Sequence, residues 1–147
     1  HAPELSVLDE ERVMLVAPSS KVADVVVTGT APIPPAVIFG NEPPHDWCYY
    51  YQKASLARQQ GDWKKVKQLG DEAQKLGLHP NDQIEWMPFL QAYAVLGDQK
   101  QVKGISTRIN TEPYYRYQAC KNFDALTKGG TPLSPAMQAS VSDLFCK

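Results

Sequence analysis

Cysteine is scarce in this sequence, with three among 147 residues. So small and odd a number excludes a disulfide framework, because at most one bridge can close within the chain. Long apolar runs are missing as well. The stretch from Val25 to Phe39 is interrupted by Gly29, Pro32, Pro34 and Pro35, and it falls short of the roughly 20 apolar residues that a membrane-spanning helix needs. No basic-then-apolar leader opens the chain, and it starts at His1 without an initiator Met, so the expectation is an excised piece or a processed product. An excess of one charge sign is lacking too. Fifteen Lys+Arg oppose 16 Asp+Glu for a formal net charge of −1, which gives no electrostatic footprint for a polyanion, and no nucleic-acid partner is expected. A Gly-rich phosphate loop, a nucleophile elbow and paired metal-ligand motifs are also absent, so no catalytic residue, no metal and no cofactor is expected.

What is present is ordinary globular composition, 43% hydrophobic and 21% charged, in a length that suits one packed domain. Its distribution is uneven. Pro3, Pro18, Pro32, Pro34, Pro35, Pro43 and Pro44 crowd the segment before Asp46, which therefore cannot be continuous helix. The same segment is acidic, with Glu4, Asp9, Glu10, Glu11, Asp24, Glu42 and Asp46 against Arg12 and Lys21. Residues 1–45 read as an extended arm that packs on the rest and carries one or two short strands. The β-branched run Val22 to Thr28 and the apolar run Ala36-Val37-Ile38-Phe39 are the two candidates. Leu8 to Leu15 fits either a short helix capped by Asp9 or a strand over Arg12 to Val16, and the helix is favoured.

Residues 46–147 read as a mainly α domain of three helical hairpins. Asp46 caps a helix from Trp47 to Gln60 that Gly61 stops, and Asp62 caps a second in which Trp63, Val66, Leu69 and Ala73 recur at three- and four-residue steps. Asp82 and Glu85 form a capping box before a third helix, Ile84 to Leu96, where Pro88 predicts a bend or a later start. Gln99 to Ile109 is the fourth helix. Glu112 to Leu126 is the fifth, terminated by Gly129-Gly130. Ser134 caps the sixth, with Pro135 at its first position and its end near Phe145.

The turns Gly61-Asp62 and Gly97-Asp98 lie 36 residues apart, a period of helical-hairpin repeats. Trp86, Phe89, Leu90, Tyr93 and Gly97 stand where a tetratricopeptide repeat places its Trp, Leu, Gly, Tyr and turn glycine. Tyr50, Ala54, Ala57, Gly61 and Trp63 match less closely, because Val66 and Gly70 replace the usual small and aromatic positions of the second helix. The hairpin after Glu112 keeps little of the pattern, as a terminal capping unit would. The chain thus resembles a tetratricopeptide-like stack.

A second resemblance is carried by Pro34-Pro35-Ala36-Val37-Ile38-Phe39-Gly40, by Glu42-Pro43-Pro44-His45-Asp46-Trp47-Cys48-Tyr49-Tyr50-Tyr51-Gln52-Lys53-Ala54, by Leu56 to Trp63, and by Glu85-Trp86-Met87-Pro88-Phe89 with Ala92-Tyr93-Ala94. Over roughly residues 34 to 120 the chain is similar to the C-terminal tail of bacterial multi-spanning membrane proteins of the lipid-linked mannosyltransferase type. The resemblance implies a non-catalytic recognition or assembly domain on the extracytoplasmic side of the cytoplasmic membrane, joined through its arm to the last spanning helix. The family's catalytic carboxylates belong to the membrane-embedded part, and none maps onto this chain.

In such a stack the first helix of each hairpin lines a concave face. Here that face presents Tyr51, Ser55, Arg58, Gln59, Met87 and Gln91, which join a stacking aromatic, a fork-shaped cation and amides in a set suited to a protein or glycan ligand. A generic peptide-binding module is the alternative. A small enzyme built on His45 and Cys48 is weaker, because a Cys–His dyad normally draws its partners from separate parts of the chain. Asp46 reads instead as a cap and Cys48 as a small packed hydrophobe. The cations Lys53, Arg58, Lys64, Lys65, Lys67 and Lys75 crowd the first hairpin, where they either are solvated or face an anionic leaflet. Cys120 and Cys146 lie at comparable heights on the last hairpin and can bridge; Cys48 with Cys120, or no bridge at all, are the rivals.

Overall fold

The structure is a computed structural model that describes residues 10–21, 24 and 33–147. The chain divides into two compact units, His1–Pro43 and Pro44–Lys147. Among the described residues it is mainly helical, with no strand. No described helix is long and apolar enough to cross a membrane.

In the first unit, α1 (Glu11–Val16) runs into a 3₁₀ turn at Ala17–Ser19, and α2 spans Ala36–Phe39. The helix expected near Leu8–Leu15 is therefore present, shifted toward its C-terminal half. The strand expected over Ala36–Phe39 is instead the single turn α2. Pro35 precedes it with φ −60° and ψ 121°, Phe39 N–H returns to Pro35 O at 3.1 Å, and Gly40 ends it at φ +76°. With Pro34-Pro35 ahead and glycine behind, four residues close a turn more readily than they pair across a sheet. The other expected strand, Val22 to Thr28, lies outside the described residues except for Asp24.

The second unit holds α3 (Trp47–Gln59), α4 (Trp63–Lys75), a 3₁₀ turn at Gln83–Trp86, α5 (Met87–Val95), α6 (Gln99–Ile109), α7 (Pro113–Lys128) and α8 (Pro135–Phe145). The caps act where the sequence places them. The carboxylates of Asp46, Asp62 and Asp98 accept from the amides of Tyr49, Lys65 and Gln101, and the Ser134 hydroxyl accepts from Met137 N–H. The two Gly-Asp turns are built alike. Gly61 and Gly97 sit at φ +74° and +78°, a region that residues with a Cβ rarely adopt. Asp62 N–H then reaches Ala57 O at 2.9 Å, and Asp98 N–H reaches Tyr93 O at 2.8 Å. Each aspartate closes one helix with its amide and opens the next with its side chain, so no loop residue is left over.

The third helix starts later than its apolar pattern. Pro88 occupies the first turn of α5, where its missing N–H removes no helical bond, and the residues before it form the 3₁₀ turn. The expected capping box does not form. In the tighter turn the Asp82 carboxylate accepts from Ile84 N–H at 3.0 Å, while Glu85 Oε2 accepts from Trp47 Nε1 at 2.5 Å.

Helix α5 packs against α3, α4, α6 and α7. All of Met87 to Ala94 is buried, as a helix apolar on every side must be. Trp47, Trp86 and Phe89 interlock at its start, with ring centroids 4.7, 5.3 and 5.9 Å apart. Of the aromatics at repeat positions, Trp86, Phe89 and Tyr93 are fully covered, whereas Trp63 is only half-buried against the core's edge. Of the three consecutive tyrosines, Tyr50 is buried and Tyr49 and Tyr51 are half-buried.

Tyr93 carries a hydroxyl into this interior. Its O–H donates to Asp71 Oδ1 and its oxygen accepts from Gln74 Nε2, both at 2.8 Å. Lys67 Nζ bridges Asp71 and Asp98 at 2.9 and 3.1 Å and lies 4.8 Å above the Tyr93 ring. Burial, then the bond to Asp71, pushes the Tyr93 hydroxyl above the ordinary tyrosine range, so it stays a donor. Burial alone would raise Asp98, but Gln101 N–H and Lys67 outweigh it and hold that carboxyl below its usual value. The network fastens α4, α5 and α6 to one another.

The last hairpin is closed by a disulfide between Cys120 and Cys146, which lie 26 positions apart in sequence with Cα atoms 5.2 Å apart. Cys48 remains a free thiol. Within the last hairpin Phe123 and Phe145 stack with ring centroids 5.9 Å apart, and Asn110 Nδ2 donates to Leu144 O at 3.0 Å to join the end of α6 to α8.

Gly70 marks the closest approach of α4 to α5. A Cβ there would lie 2.7 Å from Phe89 Cδ1 and 2.9 Å from Tyr93 Oη, atoms held by the core and by the Asp71 bond. Gly70→Ala should therefore destabilise the chain by about 1–3 kcal/mol through overpacking, despite alanine's better helix propensity. Urea unfolding checks this, and a variant as stable as the parent refutes the close contact.

Candidate functional site

The residues expected to form a recognition face lie on two helices. On α3, Tyr51, Ser55, Arg58 and Gln59 follow three- and four-residue steps and so share one side. Tyr51, Ser55 and Arg58 are half-buried and Gln59 is exposed. On α5, Met87 and Gln91 are buried, with 4% and 5% of their surface exposed. They were expected at the surface, but α7 packs on this part of α5 and takes their solvent away.

What the fold brings together is a polar line across three helices. Arg58 Nη1 donates to Gln91 Oε1 at 2.8 Å, and Gln91 Nε2 donates to Asn122 O on α7 at 3.4 Å. One turn earlier on α7, Gln118 Nε2 donates to Asn122 Oδ1 at 3.3 Å, while Gln118 Oε1 is buried with no hydrogen-bond partner among the described residues. Burial pulls the Arg58 guanidinium down to about 10, still well above neutrality, so the side chain remains a cation in a partly dry setting. Gln118 and Asn122 were not picked out from sequence. Their signal is faint: two amides four residues apart, in the hairpin whose repeat pattern has faded.

The entry to α3 is structural in its geometry. His45 lies flat on Tyr49 with ring centroids 3.6 Å apart, and Asp46 caps the helix. Cys48 is exposed, not packed on the first turn as expected, because Trp47 and Tyr50 take the inward positions. The cations of the first hairpin divide. Lys67 belongs to the Asp71–Asp98 network and Lys53 sits 4.7 Å above the Tyr49 ring, whereas Lys64, Lys65 and Lys75 are exposed. Among the described residues no three His, Cys, Asp or Glu side chains gather as a metal site.

The Arg58–Gln91 bond should show itself as an energetic coupling. Gln91→Leu removes an acceptor from a half-buried guanidinium, and hydrogen bonds to charged groups contribute about 1.5–3 kcal/mol. A double-mutant cycle of Arg58→Met with Gln91→Leu, read by urea unfolding, should give a coupling of about 1 kcal/mol or more. Additivity within about 0.3–0.5 kcal/mol refutes the pairing.

In comparisons with known proteins, no protein-family model, no curated protein and no solved structure matches this chain.

Proposed function

We propose that this chain is a non-catalytic recognition or assembly domain on the extracytoplasmic side of a bacterial cytoplasmic membrane, part of a glycosyltransferase-like membrane protein. In this reading the helices form a tetratricopeptide-like stack, and a protein or glycan partner meets the polar side of α3 at Tyr51, Ser55, Arg58 and Gln59. The observation that carries the repeat is the pair of Gly-Asp turns, equal in φ and in hydrogen bonding at a spacing of 36 residues. The Cys120–Cys146 bridge supports the compartment, since disulfides persist where the surroundings oxidise and are rare in the bacterial cytosol. Attachment to a membrane rests on the sequence resemblance through residues 34 to 120.

A generic peptide-binding module is the second reading. It is favoured by Arg58, a half-buried cation on α3 whose Nη1 donates to Gln91 Oε1 and whose planar fork is the group that pairs with a peptide carboxylate or carbonyl. In either reading Gln91 acts from beneath by positioning Arg58, because it is itself buried.

Binding of the oxidised chain to glycan and peptide arrays tests the proposal. One ligand class should bind, and Tyr51→Ala or Gln59→Ala should weaken that binding severalfold without loss of helical circular dichroism. No binding to either class at high protein concentration would leave the chain a spacer. Turnover of any substrate by the chain alone would overturn its non-catalytic assignment.

A further inference from the structure

Cys120 is half-buried midway along α7, and Cys146, directly after α8, is exposed. Cys120 flanks the apolar core and Cys146 lies outside it. A unit of this length has core enough to fold without a covalent tie, whereas exposed disulfides are the ones that exchange with free thiols. Both cysteines line a cleft of about 280 Å³ between α7 and α8, walled by Phe123, Leu133 and Val141. An entering thiol therefore reaches the bridge without the chain unfolding.

The charges around the bridge favour one direction of attack. Asp124 and Asp143 are each paired with the lysine four residues on, Lys128 at 2.7 Å and Lys147 at 2.5 Å. Lys121 lines the cleft beside Cys120 and forms no ion pair among the described residues; its Nζ lies 5.3 Å from the centre of the Tyr117 ring. A cation next to a sulfur stabilises its thiolate, and a stabilised thiolate leaves faster. Cys146 is thus the sulfur open to attack, and Cys120 is the one that departs.

What the bridge holds is the far end of α8. That helix packs on α6 and α7 and buries Met137, Val141 and Phe145. Its end is further fixed by the Phe123–Phe145 stack and by the bond from Asn110 to Leu144 O. We propose that the bridge is a redox switch, which a partner protein carrying a dithiol opens so that the end of α8 is freed from α7. The partner's thiolate attacks Cys146 Sγ, the S–S bond breaks, and Cys120 leaves as a thiolate beside Lys121 and takes a proton from solvent. The partner's second thiol, having lost its proton, then displaces Cys146, so the partner keeps the disulfide and this chain holds two thiols. Once opened, α8 frays from Phe145 back toward Val141 and uncovers an apolar end that the oxidised chain hides. The proposal depends neither on a ligand at α3 nor on attachment to a membrane.

The test uses the oxidised Cys48→Ser chain, which has no thiol of its own to exchange, and dithiothreitol as the dithiol. Opening is followed by alkylation of the freed thiols and mass spectrometry, with and without unfolding urea. The folded chain should open within about tenfold of the rate of the unfolded one. Lys121→Gln should slow opening of the folded chain severalfold and Lys121→Arg should restore it, with little effect of either in urea. Amide exchange of the reduced chain should rise at least about tenfold at Leu144 to Cys146 and stay unchanged in α3, α4 and α5. Cys120→Ser with Cys146→Ser should reproduce that pattern. The proposal is overturned if the bridge opens only as fast as the folded chain unfolds, if Lys121→Gln opens at the parent rate, or if reduction changes exchange nowhere. Loss of protection throughout the second unit would overturn it as well, because the bridge would then be a staple on which the fold depends.

Discussion

The segment from Met87 to Ala94 has no side to turn toward water, and this constraint organises the second unit. Phe89, Leu90, Ala92 and Tyr93 are fully covered, as is Trp86 just before them. Burying one large apolar side chain is worth about 1.5–3 kcal/mol, so α5 becomes stable only when α3, α4, α6 and α7 surround it. Pro88 fixes where that helix can begin, and Gly97 with Asp98 fixes where it ends and α6 starts. The two ends set the length of the buried segment before any neighbour is added.

A helix enclosed on every side must provide for each polar group it carries. Gln91 and Tyr93 are the two such side chains on α5, and they point the polar residues of the neighbours. Tyr93 draws Asp71 and Gln74 from α4, and through Lys67 it engages the cap of α6. Gln91 draws Arg58 from α3 and a backbone carbonyl from α7. Specific polar bonds thus fix the positions of helices that apolar contact alone would hold loosely. The same bonds decide what is left for a partner. Gln91 is consumed inside, whereas Gln59 on α3 and Arg108 at the end of α6 remain at the surface.

Much of the helical unit was legible because its punctuation is local. An aspartate at a cap or a glycine at positive φ acts within a few residues, so α3, α4, α6 and α8 lie within a residue of where Asp46, Asp62, Asp98 and Ser134 set them. Tertiary effects were not legible in this way. Glu85 looked like half of a capping box, but its carboxylate went to the indole of Trp47, 38 positions earlier. Met87 and Gln91 looked exposed because a hairpin stack puts the first helix of each pair on its concave face, whereas α7 packs on α5 and covers them. Ala36–Phe39 has strand-forming residues, yet two prolines and a glycine close it as a turn.

Native-state amide hydrogen exchange tests the central position of α5 most directly. Regions that open only with the whole molecule exchange last, at the free energy of global unfolding. The amides of Leu90 to Val95 should therefore be the slowest in the chain and should match the stability measured in urea. Exchange of those amides through a smaller opening, ahead of the amides of α4 or α6, would contradict the account.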